Sequence, residues 1–301
     1  MVRTEVLRKA MIVSVFALLA LSCKAPREEP YQFDGARAYR YLEQQVAYGP
    51  RIPGTAGHVN TRDWIVALLK KHTAQVSIQP FRGISEGTEV EMENILASFY
   101  PEKKDRVLLC AHWDTRPHAD RDPDSTRWNE PVPGANDGAS GVAVLLEIAA
   151  VIGKHEPSVG IDMAFFDGED GGEYGRDETW LLGSRYFAKV MTPSYRPRYA
   201  ILLDMIGDRN LGLTSDYHSI TAAPALWGRV VHVCRSAGIA VSSNQAGILD
   251  DHIPLIARGI PAVDLIDFEY PYWHTVADTP DKCSPESLQK IGGLVLALIY
   301  E

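Results

Sequence analysis

The sequence predicts an α/β protein, one domain built on an open, mixed, largely parallel sheet with helices on both faces. Three observations lead to this reading. Apolar runs of strand length, such as Val107-Leu108-Leu109-Cys110, Met163-Ala164-Phe165-Phe166 and Ala200-Ile201-Leu202-Leu203, lack polar alternation, as strands buried on both faces do. They alternate with longer segments of helical period, the pattern of parallel strands joined by helices. Each run also leads into His, Asp or Glu, and in open α/β sheets the strand ends converge on one crevice.

The elements follow in order. Residues 1–23 read as an export signal: Arg3, Arg8 and Lys9 precede an apolar run, 11–21, too short to span a bilayer. Its end, Leu19-Ala20-Leu21-Ser22-Cys23, resembles a bacterial lipobox with Cys23 acylated, although Ala20 stands where Leu is usual. Plain cleavage with an incidental Cys23 is the alternative. The expectation is an exported protein, periplasmic or held to a membrane only through a lipid anchor of several chains. Residues 24–33, polar and containing Pro, form a tether, and 34–301 form the domain.

Tyr39, Leu42 and Val46 predict a helix over 36–48. Gly49-Pro50-Arg51-Ile52-Pro53-Gly54 is a loop. Trp64, Ile65, Leu68 and Leu69 give a second helix, 57–71, one apolar face. Strands are expected at 76–81, 94–99, 106–111, 161–166, 199–205 and 261–266. Helices are expected at 138–152, small and apolar enough to be buried, and at 182–190 and 225–237. A last helix starts at Ser284-Pro285-Glu286, with Ser as cap and Pro in the first turn. There is no internal repeat, low-complexity segment or second domain.

Composition narrows the function. Among 301 residues, 46% are hydrophobic, which supports a substantial core. The net charge of −9, with no basic block, excludes nucleic acid as a partner. Cys110, Cys234 and Cys283 show no metal-type spacing and read as buried thiols. Two long loops, 115–133 and 171–179, leave strand ends and are expected to be functional. Asp120-Arg121-Asp122-Pro123-Asp124 lacks the Gly and closing Glu of a calcium loop and reads as solvated.

The strand ends carry His112-Trp113-Asp114, Asn136-Asp137, Asp167-Gly168-Glu169-Asp170, Asp204, Asp250-Asp251-His252 and Trp273-His274-Thr275. Acids and imidazoles in one crevice suit a divalent metal, zinc best. A catalytic zinc takes three protein ligands and keeps one position open. Asp137, Asp170 and His274 are the best three. Singly, Asp137 reads as a helix cap, Asp170 as a loop acid and His274 as a structural imidazole. Their joint occurrence at successive strand ends is what points to metal. Glu169 adjoins Asp170, so the two diverge; one can hold metal while the other moves a proton at the substrate. Asp204 and Asp250 are further acids. Asp204 either bonds the shuttle or, with His112, completes a second metal position. With one metal, His112 and Asp114 are outer or structural groups. Trp180 and Trp273 are placed to wall a pocket, although most Trp residues fill core.

These motifs, with Gly134-Ala135-Asn136-Asp137-Gly138-Ala139-Ser140-Gly141 and Leu203-Asp204-Met205-Ile206-Gly207, resemble the zinc aminopeptidase clan. Asp250-Asp251-His252-Ile253-Pro254, Trp273-His274-Thr275 and Gly183-Ser184-Arg185 resemble the animal-type glutaminyl cyclases and their bacterial relatives within it. The resemblance runs from Phe33 to the C-terminus. It implies one zinc on Asp137, Asp170 and His274, and Glu169 as general base and acid. Asp204 and Asp250 would form an acidic network around it, with Trp180 and Trp273 lining the pocket. The implied substrates are peptides or proteins with N-terminal Gln, cyclised to pyroglutamate with loss of ammonia. Asp170 replaces the Glu of the animal enzymes, and Asp264 stands where they carry a His. The alternative is a two-zinc aminopeptidase, with His112 and Asp204 on a second zinc, Asp137 bridging and Glu169 activating water. A non-catalytic binding descendant would have lost ligands or Glu169, and none is lost.

Overall fold

The fold is that of a computed structural model, which describes residues 31–85 and 87–301. The export segment with Cys23, and residues 24–30 of the tether, lie outside the described residues. Helices α1 (Gly35–Ala47) and α2 (Ala56–Leu69) begin the described chain, capped by the side chains of Asp34 and Thr55. Then come β1 (Gln75–Ser85), β2 (Thr88–Phe99), β3 (Arg106–His112), α3 (Ala139–Ile152), β4 (Gly160–Phe166), α4 (Leu182–Val190) and β5 (Ala200–Asp204). β6 (Gly212–Asp216), α5 (Tyr217–Ala222), α6 (Pro224–Ala237), β7 (Ala240–Ala246), α7 (His252–Ala257), β8 (Ala262–Ile266) and α8 (Pro285–Tyr300) complete the order.

The main sheet runs β1-β2-β4-β3-β5-β8. β4, β3, β5 and β8 are mutually parallel, and the β1–β2 hairpin joins antiparallel at β4. Successive residues of each strand face opposite cores. On β3, Val107, Leu109 and Ala111 pack into one core with α1, α2, α3, α6 and α8. Leu108 and Cys110 pack into the other, with Phe187 of α4 and Leu255 of α7. The predicted α/β sheet covered on both faces is the one observed. β3 continues toward α3 on one face and β4 toward α4 on the other, so the carboxyl ends of β3, β4 and β5 bound a crevice.

The structure also differs from the sequence reading. The hairpin reaches Ser85 and Thr88, well beyond the predicted 81 and 94. Its outer half is exposed and held across the strands by Arg82 against Glu89 and Glu91, which gives no apolar signal. β6 and β7 form a separate two-stranded parallel sheet, and they and the short α5 and α7 escape prediction. β7 is almost wholly exposed or half-buried, so it carries no core face for a pattern to reveal. Cys110, Cys234 and Cys283 are buried free thiols.

Candidate active site

Three strand ends and two loops meet in the crevice. His112 ends β3, Asp204 ends β5, and the turn after β4 carries Asp167 to Asp170. Gly168 has φ +67°, a value glycine adopts without strain, and it turns Glu169 and Asp170 back over the sheet. Asp114 fixes that turn: its buried carboxylate accepts the backbone N–H of Glu169 (3.2 Å) and of Asp170 (3.1 Å).

Asp137 lies just before α3. The cap position is Gly138, with no side-chain cap, so Asp137 is free of the capping role the sequence left open. Its backbone N–H, and that of Asn136, donate to the buried carboxyl of Asp278, which also accepts from Tyr270 Oη. Burial, then the nearby charge of Asp137, pushes Asp278 up to about 7. Arg51 is fully buried and donates to the carbonyls of Trp113, Pro133 and Gly134, which ties the loop 49–54 under the site. Burial lowers its pKa to about 10.

The structure brings Asp137, Asp170 and His274 together. One ligand atom from each lies within 4.8 Å of the others, and all three residues are buried. His274 Nε2 is 2.9 Å from Asp170 Oδ1 and 3.7 Å from Asp137 Oδ2. Zinc bonds of about 2.1 Å at tetrahedral angles put ligand atoms about 3.4 Å apart, between those two distances. Asp137 Oδ2 and Asp170 Oδ2 are buried without a hydrogen-bond partner. Two orphaned carboxylate oxygens beside an imidazole nitrogen fit a divalent cation. Burial raises the pKa of Asp170 despite His274. At Asp137 burial acts in the same direction, but the hydrogen bond and charge of His112 prevail and hold it low.

His112, Asp137 and Asp204 form a second such group. His112 Nε2 is 3.0 Å from Asp137 and 3.1 Å from Asp204, and its Nδ1 faces Asp114 at 3.6 Å and Glu169 at 3.9 Å. The ring lies against Gly138, where a Cβ would come within 2.4 Å of Nε2. Asp114 belongs to neither group. It holds backbone instead.

Glu169 lines a cavity of about 220 Å³ with Asp137, Asp170, Asp204, Asp250 and His274. That is below the roughly 300–1,000 Å³ of drug-sized sites, so it suits one end of a chain rather than its length. Its apolar wall comprises Trp180, Trp273, Met205, Ile248 and Phe268. Trp273 and Trp180 both pack on the His274 ring, at 4.0 and 6.2 Å between centroids. Burial drives Glu169 well above the ordinary carboxylate range; Asp170, Asp250 and Asp251 add to this and His112 opposes it. Burial likewise raises Asp204 to about 6 and, with the charge of Asp204, Asp250 to about 7. His274 and Met205 hold positive φ values of 55° and 47°, uncommon for residues with side chains and concentrated at functional sites.

Sequence reasoning missed Tyr174, Asp278, Arg116 and Arg51. Arg116 is buried and donates to the carbonyls of Asp170 and Gly172, bracing the metal-side turn. Arg51 lies in Gly49-Pro50-Arg51-Ile52-Pro53-Gly54, and its place among Pro and Gly was the available signal. Tyr174 and Asp278 had none, because the site groups they hold, His274 and the turn at Asn136, lie 100 and 142 residues away.

Residues 94–299 match peptidase family M28. The chain belongs to that family. Among M28-related structures, it is similar to the glutaminyl cyclase of Tannerella forsythia: 39% identity and a TM-score of 0.85, over 90% of this chain and 99% of that one. It is as similar to a Zn-dependent exopeptidase from Parabacteroides distasonis, with the same identity, TM-score and coverage. The glutaminyl-peptide cyclotransferase of Bos taurus is 24% identical over 294 residues, 83% of this chain and 78% of the bovine one. The M28 chain is thus homologous to glutaminyl-peptide cyclotransferases, and its fold is that of the zinc aminopeptidase clan.

Proposed function

We propose that this M28 chain is a glutaminyl-peptide cyclotransferase, which converts N-terminal Gln of peptides and proteins to pyroglutamate and releases ammonia. The observation that carries the reading is the small aromatic-walled cavity, which has Glu169 on one side and Asp137, Asp170 and His274 on the other. Similarity to the Tannerella enzyme supports it.

In this reading Asp137, Asp170 and His274 hold a single zinc. A zinc held there would supply Lewis-acid polarisation of the substrate's side-chain amide and countercharge for its oxygen. Trp180 and Trp273 exclude water and hold the Gln bent. The attacking amine is already tethered to its target, so the walls have only to select a conformer. Glu169 takes a proton from the α-amine and returns it to the leaving ammonia. Asp204 and Asp250, on the same cavity, surround Glu169 with acids that keep the proton mobile. The nucleophile must be the neutral amine, whose free pKa is about 8, so activity rises from acidic to mildly alkaline pH.

A second reading, a two-zinc aminopeptidase, is favoured by one observation: His112, Asp137 and Asp204 form another metal-sized group that shares Asp137. A Gln-initiated peptide incubated with the zinc-loaded protein separates the two by mass. Loss of ammonia with the chain intact is the expected outcome, and loss of the first residue would overturn it. Export with a lipid on Cys23 belongs to the same proposal. Labelled palmitate should mark the wild type and not Cys23→Ser, and equal labelling would contradict the anchor.

A further inference from the structure

The loop 171–179 leaves and rejoins the chain beside Glu169: Leu181 N–H donates to the Glu169 carbonyl (3.2 Å) and Leu182 N–H to that of Gly168 (3.0 Å). Tyr174 sits within this loop. It is 46% exposed, yet its hydroxyl lies 2.8 Å from His274 Nδ1. The guanidinium groups of Arg116 and Arg121 pack on its ring, 5.0 and 4.5 Å from the centroid. Arg121 Nε–H also donates to the phenol oxygen at 3.2 Å. Trp180, from the pocket wall, leans on the same ring at 5.4 Å. Asp120, the other group facing Nδ1, is 3.8 Å away and hydrogen-bonded to Arg116.

We propose that Tyr174 is a positioning residue for the metal. Its oxygen accepts the Nδ1–H of His274, which fixes the tautomer whose Nε2 lone pair points at Asp137 and Asp170. An imidazole ligand needs such a partner on its second nitrogen to set tautomer and ring direction. A hydroxyl can also reverse its role. Without metal it donates to Nδ1, while Nε2–H donates to Asp170 Oδ1 at 2.9 Å. The loop that walls the pocket therefore also grips the metal ligand, and disturbing the one loosens the other. The inference rests on the metal part of the proposed function and is the same for cyclase or peptidase chemistry.

The test is zinc affinity, measured by competition with a chromogenic chelator for the wild type, Tyr174→Phe and His274→Ala. Phe keeps the ring contacts and removes only the hydroxyl. The expected loss in Tyr174→Phe is about 10- to 100-fold, with the melting temperature of the metal-free protein lowered by no more than a few degrees for the lost hydroxyl contacts. Nitrogen-15 spectra of labelled histidine give a second readout. Zinc-loaded wild type should show a protected Nδ1 proton on His274, and Tyr174→Phe should lose that protection. If Tyr174→Phe binds zinc within about twofold of wild type while His274→Ala loses it, the role of Tyr174 is refuted and the metal centre stands. If His274→Ala also keeps wild-type affinity, the metal centre fails and the inference falls with it.

Discussion

Replacing Asp114 with Asn separates holding the turn from holding the metal. The substitution keeps shape and removes one acceptor. At present both carboxylate oxygens accept, one from Glu169 N–H and one from Asp170 N–H, and the side chain is fully buried. Asn can serve one of these donors. Its amide group then faces the other, which is left buried without a partner. Losing a hydrogen bond to a charged acceptor and stranding an N–H costs about 3 kcal/mol. Relief of repulsion offsets part of this, since the Asp114 charge helps to raise Asp167 and Asp251. A net cost of about 2 kcal/mol remains, which lowers the melting temperature by about 3–4 °C. The freed turn also misplaces Asp170 and Glu169, so zinc affinity falls about 10- to 100-fold and kcat by about 10-fold or more. Thermal melts, chelator competition and turnover of a Gln-initiated peptide measure the three effects. A variant with wild-type melting and wild-type zinc affinity would refute the assignment of Asp114 as the clamp of the turn.

Other consequences follow from the same geometry. Glu169→Gln should reduce kcat by about 10²- to 10⁴-fold while zinc content stays at the wild-type level; loss of zinc would mean Glu169 and Asp170 have exchanged roles. Gly138→Ala puts a Cβ against His112, so it should destabilise by about 1–3 kcal/mol and depress turnover; a wild-type melt and rate would show that the ring can move freely. Asp278 and Asp250 have folded pKa values of about 7, above the unfolded value, so the native state binds more protons than the unfolded chain between about pH 4 and 7. Stability of the metal-free protein should therefore fall as pH rises through that window, and zinc should flatten the slope. Melts that instead rise from pH 5 to 7.5 without metal would contradict the buried-acid assignment.

Much of the fold was legible because it rests on local pattern. β3, β4, β5 and β8 are buried on nearly all positions, and such strands read as largely apolar runs, interrupted only by Asp162 in β4 and Asp264 in β8. The crevice followed from the acids placed where those runs stop. β6 and β7 were not legible because Gly212–Asp216 and Ala240–Ala246 are mostly polar, and α5 and α7 because six residues are too few to show a helical period. The same distinction holds in the site. Asp137, Asp170 and His274 announced themselves as polar residues at apolar boundaries. Tyr174 looked like an ordinary residue in a polar Gly-rich loop, and only the fold brings it to an imidazole a hundred positions away. Asp278 acts mainly on backbone groups of a distant turn, so nothing in its own surroundings marked it, whereas the Pro and Gly around Arg51 were its one local signal. Asp114 was legible as a member of the site but not in its task, which depends on two N–H groups of a distant turn.

The central claim is that one zinc sits among Asp137, Asp170 and His274. Anomalous diffraction from crystals of the zinc-loaded protein, recorded on both sides of the zinc absorption edge, tests it directly. The account predicts a peak within bonding distance of Asp137 and Asp170 carboxylate oxygens and of His274 Nε2. A lone peak elsewhere, or none in protein shown to carry zinc, would contradict it.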